Sequence, residues 1–312
     1  MFDEKSDLVL GCLLPAEADE AAQLIHRSLD FWYARHLNQP QRFGSDWQPF
    51  RIFPDLYQGL DPGQALTARN AASGELVGIC FQHPRPTHVS VGIVATHPAS
   101  GGRGVARALL EQVLAFADAR RLPIRLVSSL MNLDSFSLYT RLGFVPGMVF
   151  QDLQFSSGVL PPLVPPQGII RRATPSDVPA MAVLEESMTG IFRAHDFAYF
   201  VKNEPEIWHT LVLIGEDGKL HGFLSSLQQG GTQMLGPGWM ENDVDALSLI
   251  SAQLHHHAPG NPVFLVPSRA AGLVAALYQA GARNVELHVA QVRGPSVAPQ
   301  GIVIPTFLPE SG

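Results

Sequence analysis

Apolar and polar positions recur along this chain in a fixed order. Residues 8–14 (LVLGCLL) form a short apolar run, and Pro15 opens a helix-spaced stretch that extends to about residue 29. An aromatic-rich connection then reaches about residue 64. Three β-patterned runs follow, QALTARN, ELVGICFQH and HVSVGIVAT, separated by the turn-like segments AASGE and PRPT. Short strands joined by such turns predict an antiparallel meander.

From residue 103 to 121 the apolar positions Val105, Leu109, Leu110, Val113, Leu114 and Ala117 fall at three- and four-residue spacing, which is one face of a helix. The buried-type run PIRLVSSL comes next, then a second helix over 135–141. Gly143 ends that helix, and FVPGMVFQDLQF supplies the closing strands. The first of these helices makes a crossover that sets HVSVGIVAT and IRLVSSL parallel within a mostly antiparallel sheet. The fold class is therefore α+β.

Four prolines and two glycines crowd SSGVLPPLVPPQG, a composition that reads as a semi-rigid spacer. Beyond it the order of elements repeats. GIIRRATPSDVPAMAVLEES gives a strand, a polar turn and a helix. LVLIGEDGKLHGFLSS gives a hairpin, and NPVFLVP, a helix over 268–279 and NVELHVAQV complete the series. The chain reads as a diverged tandem duplication: one domain over 1–155, a linker over 156–167, and a second domain over 168–312.

A length of 312 residues accommodates two such domains. The net charge of -7, without basic blocks, argues against a nucleic-acid partner. No apolar run reaches the ~20 residues of a membrane span, and LVLGC lacks the flanks of a signal peptide. A soluble, cytoplasmic protein without membrane partners is expected. The only cysteines, Cys12 and Cys80, lie in apolar runs and are read as two buried thiols rather than a disulfide.

The segment HPASGGRGVARALL, residues 97–110, carries candidate chemistry. It runs from a strand through three glycines into a helix N-terminus, where unpaired N–H groups and the positive end of the helix dipole favour an anion. Gly101, Gly102 and Gly104 let the chain curl, and Arg103 and Arg107 add positive charge. A P-loop is excluded because no Lys-Ser or Lys-Thr pair follows, and the spacing does not match a dinucleotide fingerprint. On these residues alone, a phosphate cradle and a plain turn both remain open.

Taken together, IVATHPASGGRGVARALL and NLDSFSLYTRLGFVP resemble the GNAT superfamily of acyl-CoA-dependent N-acyltransferases. The second segment carries that family's Leu-Tyr-x-x-x-Gly-Phe signature as Leu138, Tyr139, Gly143 and Phe144. The resemblance implies two tandem GNAT-like domains with acetyl-CoA as co-substrate. It assigns the backbone of Val94, Ala95 and Thr96 to the pantetheine arm, and Gly101, Gly102, Arg103, Gly104, Val105 and Ala106 to the pyrophosphate. Asn132, seven residues before Tyr139, is implied as a further cofactor contact. Gly101 stands where the family usually has Gln or Arg, which leaves the anion to backbone N–H groups.

Acyl transfer to an amine needs a proton for the departing thiolate, and Tyr139 is the natural donor. The strand before Asn132 reads Leu126, Val127, Ser128, Ser129 and offers no carboxylate as base. His88, His97 or a water held by Ser128 or Ser129 are alternatives, and the base stays unassigned. Phe31, Trp32, Tyr33, Trp47, Phe50, Phe53 and Tyr57 fall where the family forms its acceptor pocket, although packing of a long connection explains them equally. In the second copy, Pro237, Glu241, Asp243 and Asp245 occupy the place of the cradle and oppose a pyrophosphate, while Leu277 replaces Tyr139. That copy is read as degenerate.

Residues 255–257, three consecutive histidines, point in different directions on a helix and are read as a solvated helix end, with no metal site. The expected activity is acetyl transfer to a primary amine of a small molecule or peptide, in the N-terminal domain of a monomer or homodimer. A non-catalytic acyl-CoA-binding regulatory or interaction module is the alternative.

Overall fold

The computed structural model describes residues 7–229 and 232–306. The described chain divides into two compact units, one built from residues up to 84 together with 89–124, the other from 85–88 together with 125–306.

In the first unit β1 (Leu8–Cys12) leads through a short 3-10 turn to α1 (Ala18–Leu37) and then α2 (Ile52–Leu60). β2 (Ala65–Asn70), β3 (Leu76–Pro84), β4 (Val89–Thr96) and α3 (Val105–Arg120) follow. β1, β2, β3 and β4 lie side by side in chain order, each pair antiparallel, so the meander forms as its turns predict. Leu109, Leu110, Val113 and Ala117 of α3 are buried, as their spacing requires.

The first helix is longer than its pattern suggests. It runs to Leu37 and ends at Asn38, which adopts the left-handed conformation with φ 51°. Its buried residues stop at Ile25, so the apolar signal fades while the helix continues. Phe31, Trp32 and Tyr33 are therefore helical. Much of the expected connection is a 3-10 turn and α2, tied together by Phe50 against Phe43 (5.5 Å) and Phe53 (5.6 Å). Cys80 is buried and Cys12 is exposed, which corrects the reading of two buried thiols: the outer strand β1 turns most of its side chains to solvent.

The second unit begins with β5 (Ile124–Ser129), α4 (Leu133–Arg141) and β6 (Val145–Gln154). β7 (Ile169–Arg172), α5 (Val178–Thr189), α6 (Ala194–Lys202), β8 (Trp208–Ile214), β9 (Leu220–Gln229) and β10 (Thr232–Met240) follow. α7 (Asp243–His257), β11 (Phe264–Pro267), α8 (Ala271–Gln279), β12 (Arg283–Arg293) and β13 (Ile302–Ile304) complete it. One sheet has the order β13-β10-β9-β8-β7, antiparallel throughout. In the other, β12 lies between β5 and β6, with β11 on the far side of β6.

This strand order joins segments on both sides of the proline-rich stretch. β12 pairs antiparallel along β6 from Arg283↔Gln154 to Val292↔Val145, so residues 125–154 pack with the C-terminal part. Residues 156–168 do not hang free either. The Pro161 carbonyl lies 2.9 Å from His255 Nε2, and the Pro162 carbonyl accepts from the Ser251 hydroxyl at 2.9 Å. Leu153, Leu224, Leu249, Leu254, Phe264 and Leu277 belong to the core of this unit.

Candidate functional site

The glycine segment folds into an open helix start. His97 closes a 3-10 turn over Pro98–Ser100 by accepting the Ala99 N–H at 3.2 Å. Gly102 and Gly104 take φ of 75° and 76°, the left-handed region where a Cβ costs ~1–2 kcal/mol. Gly104 is the N-cap of α3, and a glycine has no side chain to cover the first N–H groups. Arg103 is exposed beside them, while Arg107 pairs with Glu111 at 3.1 Å. A Cβ on Gly101 would stand 3.3 Å from the Pro98 carbonyl oxygen.

Two features beneath this loop are additions to the sequence reading. The register of β3 against β4 slips between Cys80↔Val94 and Gln82↔Val91, which puts one extra residue on β4. Such a bulge leaves backbone groups outside the ladder next to Val94, and Gly92 within the strand is the sequence signal that marks it. Gly78 on β3 faces α3, where a Cβ would sit 2.4 Å from Val105 Cγ1. The helix start rests on a residue with no side chain. The Thr96 N–H meets the Ser28 hydroxyl at 3.4 Å, and Ala95 is buried.

Asn132 and Tyr139 belong to the second unit. Asn132 is the N-cap of α4 and accepts the Ser135 N–H at 3.0 Å through Oδ1. Tyr139 is buried, with its ring edge-on to Phe144 at 5.8 Å. Gly143, at φ 89°, lets the chain reverse so that the Phe144 N–H reaches the Tyr139 carbonyl at 3.1 Å. This helix ending accounts for the Tyr-x-x-x-Gly-Phe spacing.

A carboxylate absent from β5 arrives on β12. Ser129 donates its hydroxyl to Glu286, and the Leu130 N–H bonds the Leu287 carbonyl at 2.9 Å. Glu286 faces Asp152 across the β12–β6 pair, and Asp152 Oδ1 lies 2.9 Å from His288 Nδ1. The Asn132 N–H returns to the Ser129 carbonyl at 3.3 Å, so this acid cluster adjoins the start of α4. Ser128 Oγ is buried without a hydrogen-bond partner among the described residues.

The histidines weighed as bases are held elsewhere. His97 Nε2 lies 2.9 Å from Arg27 Nη1, and His88 is buried with Nδ1 3.0 Å from the Thr87 hydroxyl. In the first unit a different histidine stands out: His83 Nδ1 lies 2.6 Å from Asp61 Oδ2. Its Nε2 is buried and has no partner among the described residues.

An open depression of about 430 Å³ in the same unit is lined by His26, Arg27, Asp30, Phe31, Trp47 and Pro98. Asp30 Oδ1 is buried without a partner among the described residues. Two of the aromatic residues from 31–57 thus reach a concavity, and Phe50 and Tyr57 are core.

The second copy matches the first locally and differs where the chemistry would be. The Ala282 N–H bonds the Leu277 carbonyl at 3.0 Å, with Gly281 at φ 101°, the same reversal that follows Tyr139. Leu277 is fully buried and has no hydroxyl to offer. At the start of α7, Asn242 accepts the N–H groups of Val244 and Asp245 and so fills the place that Gly104 leaves open.

Of the three histidines at the other end of α7, His256 is exposed, as a solvated end requires, but His257 is buried. His257 is 1% exposed, its ring nitrogens lack partners among the described residues, and burial lowers its pKa to about 4. His256 stacks on His209 at 3.7 Å, and burial lowers the pKa of both.

Residues 29–144 match the model of the acetyltransferase (GNAT) family. No curated protein sequence matches the chain. Among solved structures, a Pyrococcus horikoshii protein described as a candidate acetyltransferase superposes with a TM-score of 0.72 at 13% identity, covering 97% of this chain and 94% of that one. A GCN5-related N-acetyltransferase from Sphaerobacter thermophilus gives 0.63 at 17% identity, over 96% and 98%. A tandem GNAT protein from the clavulanic acid biosynthesis pathway gives 0.57 at 14% identity, over 94% and 100%. Among the described residues no helix is long and apolar enough to cross a membrane. Residues 29–144 thus match the acetyltransferase (GNAT) family model, and the chain shares the fold of these acetyltransferases, including that of a tandem GNAT protein.

Proposed function

We propose that this protein transfers the acetyl group of acetyl-CoA to a primary amine of a small molecule or peptide. The residues that do so lie in the repeat over 1–155, assisted by a strand of the degenerate repeat over 168–312. The observation that carries this reading is the uncapped N-terminus of α3, entered through Gly102 and Gly104, against the side-chain-capped N-terminus of α7. One helix start is left ready for a pyrophosphate and its counterpart is filled.

Acetyl-CoA would supply the acyl group as a thioester. The N–H groups of Val105 and Ala106, with Arg103, hold its pyrophosphate, and the backbone from Val94 to Thr96 aligns the pantetheine arm. Tyr139 holds the proton that the departing thiolate takes as the carbon–sulfur bond breaks. Glu286, kept in place by the Ser129 hydroxyl, takes the proton lost by the amine as the carbon–nitrogen bond forms. The unpartnered carboxylate oxygen of Asp30 and the walls of Phe31 and Trp47 suit an amine bearing apolar groups.

Calorimetry with acetyl-CoA, followed by thiol release across a panel of amines, aminoglycosides, polyamines and peptides, tests this. Saturable binding with amine-dependent thiol release is the expected result. Binding without turnover on any amine would favour the acyl-CoA-binding module, and no binding at millimolar cofactor would overturn both readings.

A further inference from the structure

In the second copy, the place that corresponds to the glycine cradle gathers a different set of groups. The Glu241 N–H bonds the His221 carbonyl at 3.0 Å, which sets the two residues side by side at the end of the β9–β10 pair. Asn242 caps α7 and thereby brings Asp245, in the first helical turn, to the same point. One nitrogen or oxygen from each of His221, Glu241 and Asp245 lies within 4.8 Å of the others, and His221 Nδ1 is already 3.3 Å from Glu241 Oε2. Donors sharing one ion at ~2.1 Å stand roughly 3.4 Å apart, so the set draws closer together on loading.

The observation that points to a ligand is Asp245 itself. It is 1% exposed, and its Oδ1 has no hydrogen-bond partner among the described residues. A buried carboxylate oxygen left bare is costly unless a cation or donor meets it. The surrounding groups are arranged as outer-sphere supports of metal ligands are. Asp217 Oδ1 holds His221 Nε2 at 3.0 Å, leaving Nδ1 turned toward Glu241, and Asn242 Nδ2 donates to Asp245 Oδ2 at 2.7 Å. Gly215 gives the imidazole its room, since a Cβ there would stand 2.6 Å from the ring.

We propose that His221, Glu241 and Asp245 bind a first-row divalent cation of the zinc type, joining the β9–β10 hairpin to the start of α7. An imidazole with two carboxylates suits such an ion, whereas calcium and magnesium favour oxygen donors alone. Three protein ligands leave a position for water. The same point of the repeat that is open to an anion at Gly104 is thus built for a cation at Asp245.

The test is made on the full chain after chelator stripping, by calorimetric titration with zinc chloride and by the visible absorption of the cobalt(II) form. One ion per chain is expected, with a rise in Tm on loading. Glu241→Gln and Asp245→Asn should each weaken zinc affinity at least about tenfold, and Asp217→Asn by about tenfold through its hold on the imidazole. His256→Gln, which changes the separate histidine cluster at the far end of α7, should leave affinity unchanged. If Asp245→Asn fails to fold, the exposed Glu241→Gln decides the question. No binding at millimolar zinc, or stoichiometric binding unaffected by Glu241→Gln, would overturn the proposal.

Discussion

At the scale of single residues, the two copies differ in the hydroxyl proposed to move a proton. Tyr139 and Leu277 occupy the same point in the same helix-ending reversal, and only the first has a hydroxyl. In the proposed reaction Glu286 supplies the carboxylate that Ser128 and Ser129 cannot. Glu286→Gln keeps an oxygen to accept from Ser129 and removes the basic group alone. It should lower kcat by about a hundredfold or more, within the range measured for general acid–base groups, while the Kd for acetyl-CoA stays unchanged. Tyr139→Phe should behave alike. Steady-state kinetics beside calorimetry separates the two quantities, and an unaltered kcat in Glu286→Gln would reduce that residue to a structural role.

At the scale of elements, the start of α3 depends on what lies under it. A side chain at Gly78 would meet Val105 Cγ1 at 2.4 Å and Leu109 Cδ1 at 3.0 Å, so Gly78→Val must displace the first turn of the helix. Overpacking of this kind costs ~1–3 kcal/mol, and acetyl-CoA affinity should fall with it in a urea-unfolding and calorimetry pair. A variant that keeps full affinity would detach the cradle from this contact. Gly104→Glu separates charge from packing: a Cβ there meets nothing within 4 Å, so its effect on binding comes from strain at positive φ and from repulsion of phosphate. The meander, α3 and the Gly143 reversal were legible in the sequence because each rests on local spacing and turn chemistry. Glu286 was not, because its meeting with Ser129 needs a strand 157 residues away to lie beside β5. The second half of α1 was hidden for a simpler reason. Its aromatic residues are only partly buried, so no continuous apolar face records the helix.

At the scale of the whole molecule, stability against acid follows from groups buried without their charge. His257 titrates near its ordinary value of 6.5 in the unfolded chain and at about 4 in the folded one, because burial disfavours the imidazolium and the neighbouring His256 and His209 add repulsion. Between those values the unfolded chain binds a proton that the folded chain refuses. The stabilisation is therefore complete above about pH 6.5 and falls as the pH drops toward 4, by at most ~1.4 kcal/mol per pH unit for each proton. His209 and His256 are shifted in the same direction and steepen the decline. Both ring nitrogens of His257 also lack partners among the described residues, so replacing the ring with an apolar one removes a desolvation cost rather than a hydrogen bond seen there. His257→Phe should accordingly raise stability at pH 7 by ~1 kcal/mol and flatten the acid limb of a plot of urea midpoint against pH. A variant that unfolds along the same acid limb as the parent would show that His257 does not set the acid response, and that the loss of stability belongs to other groups.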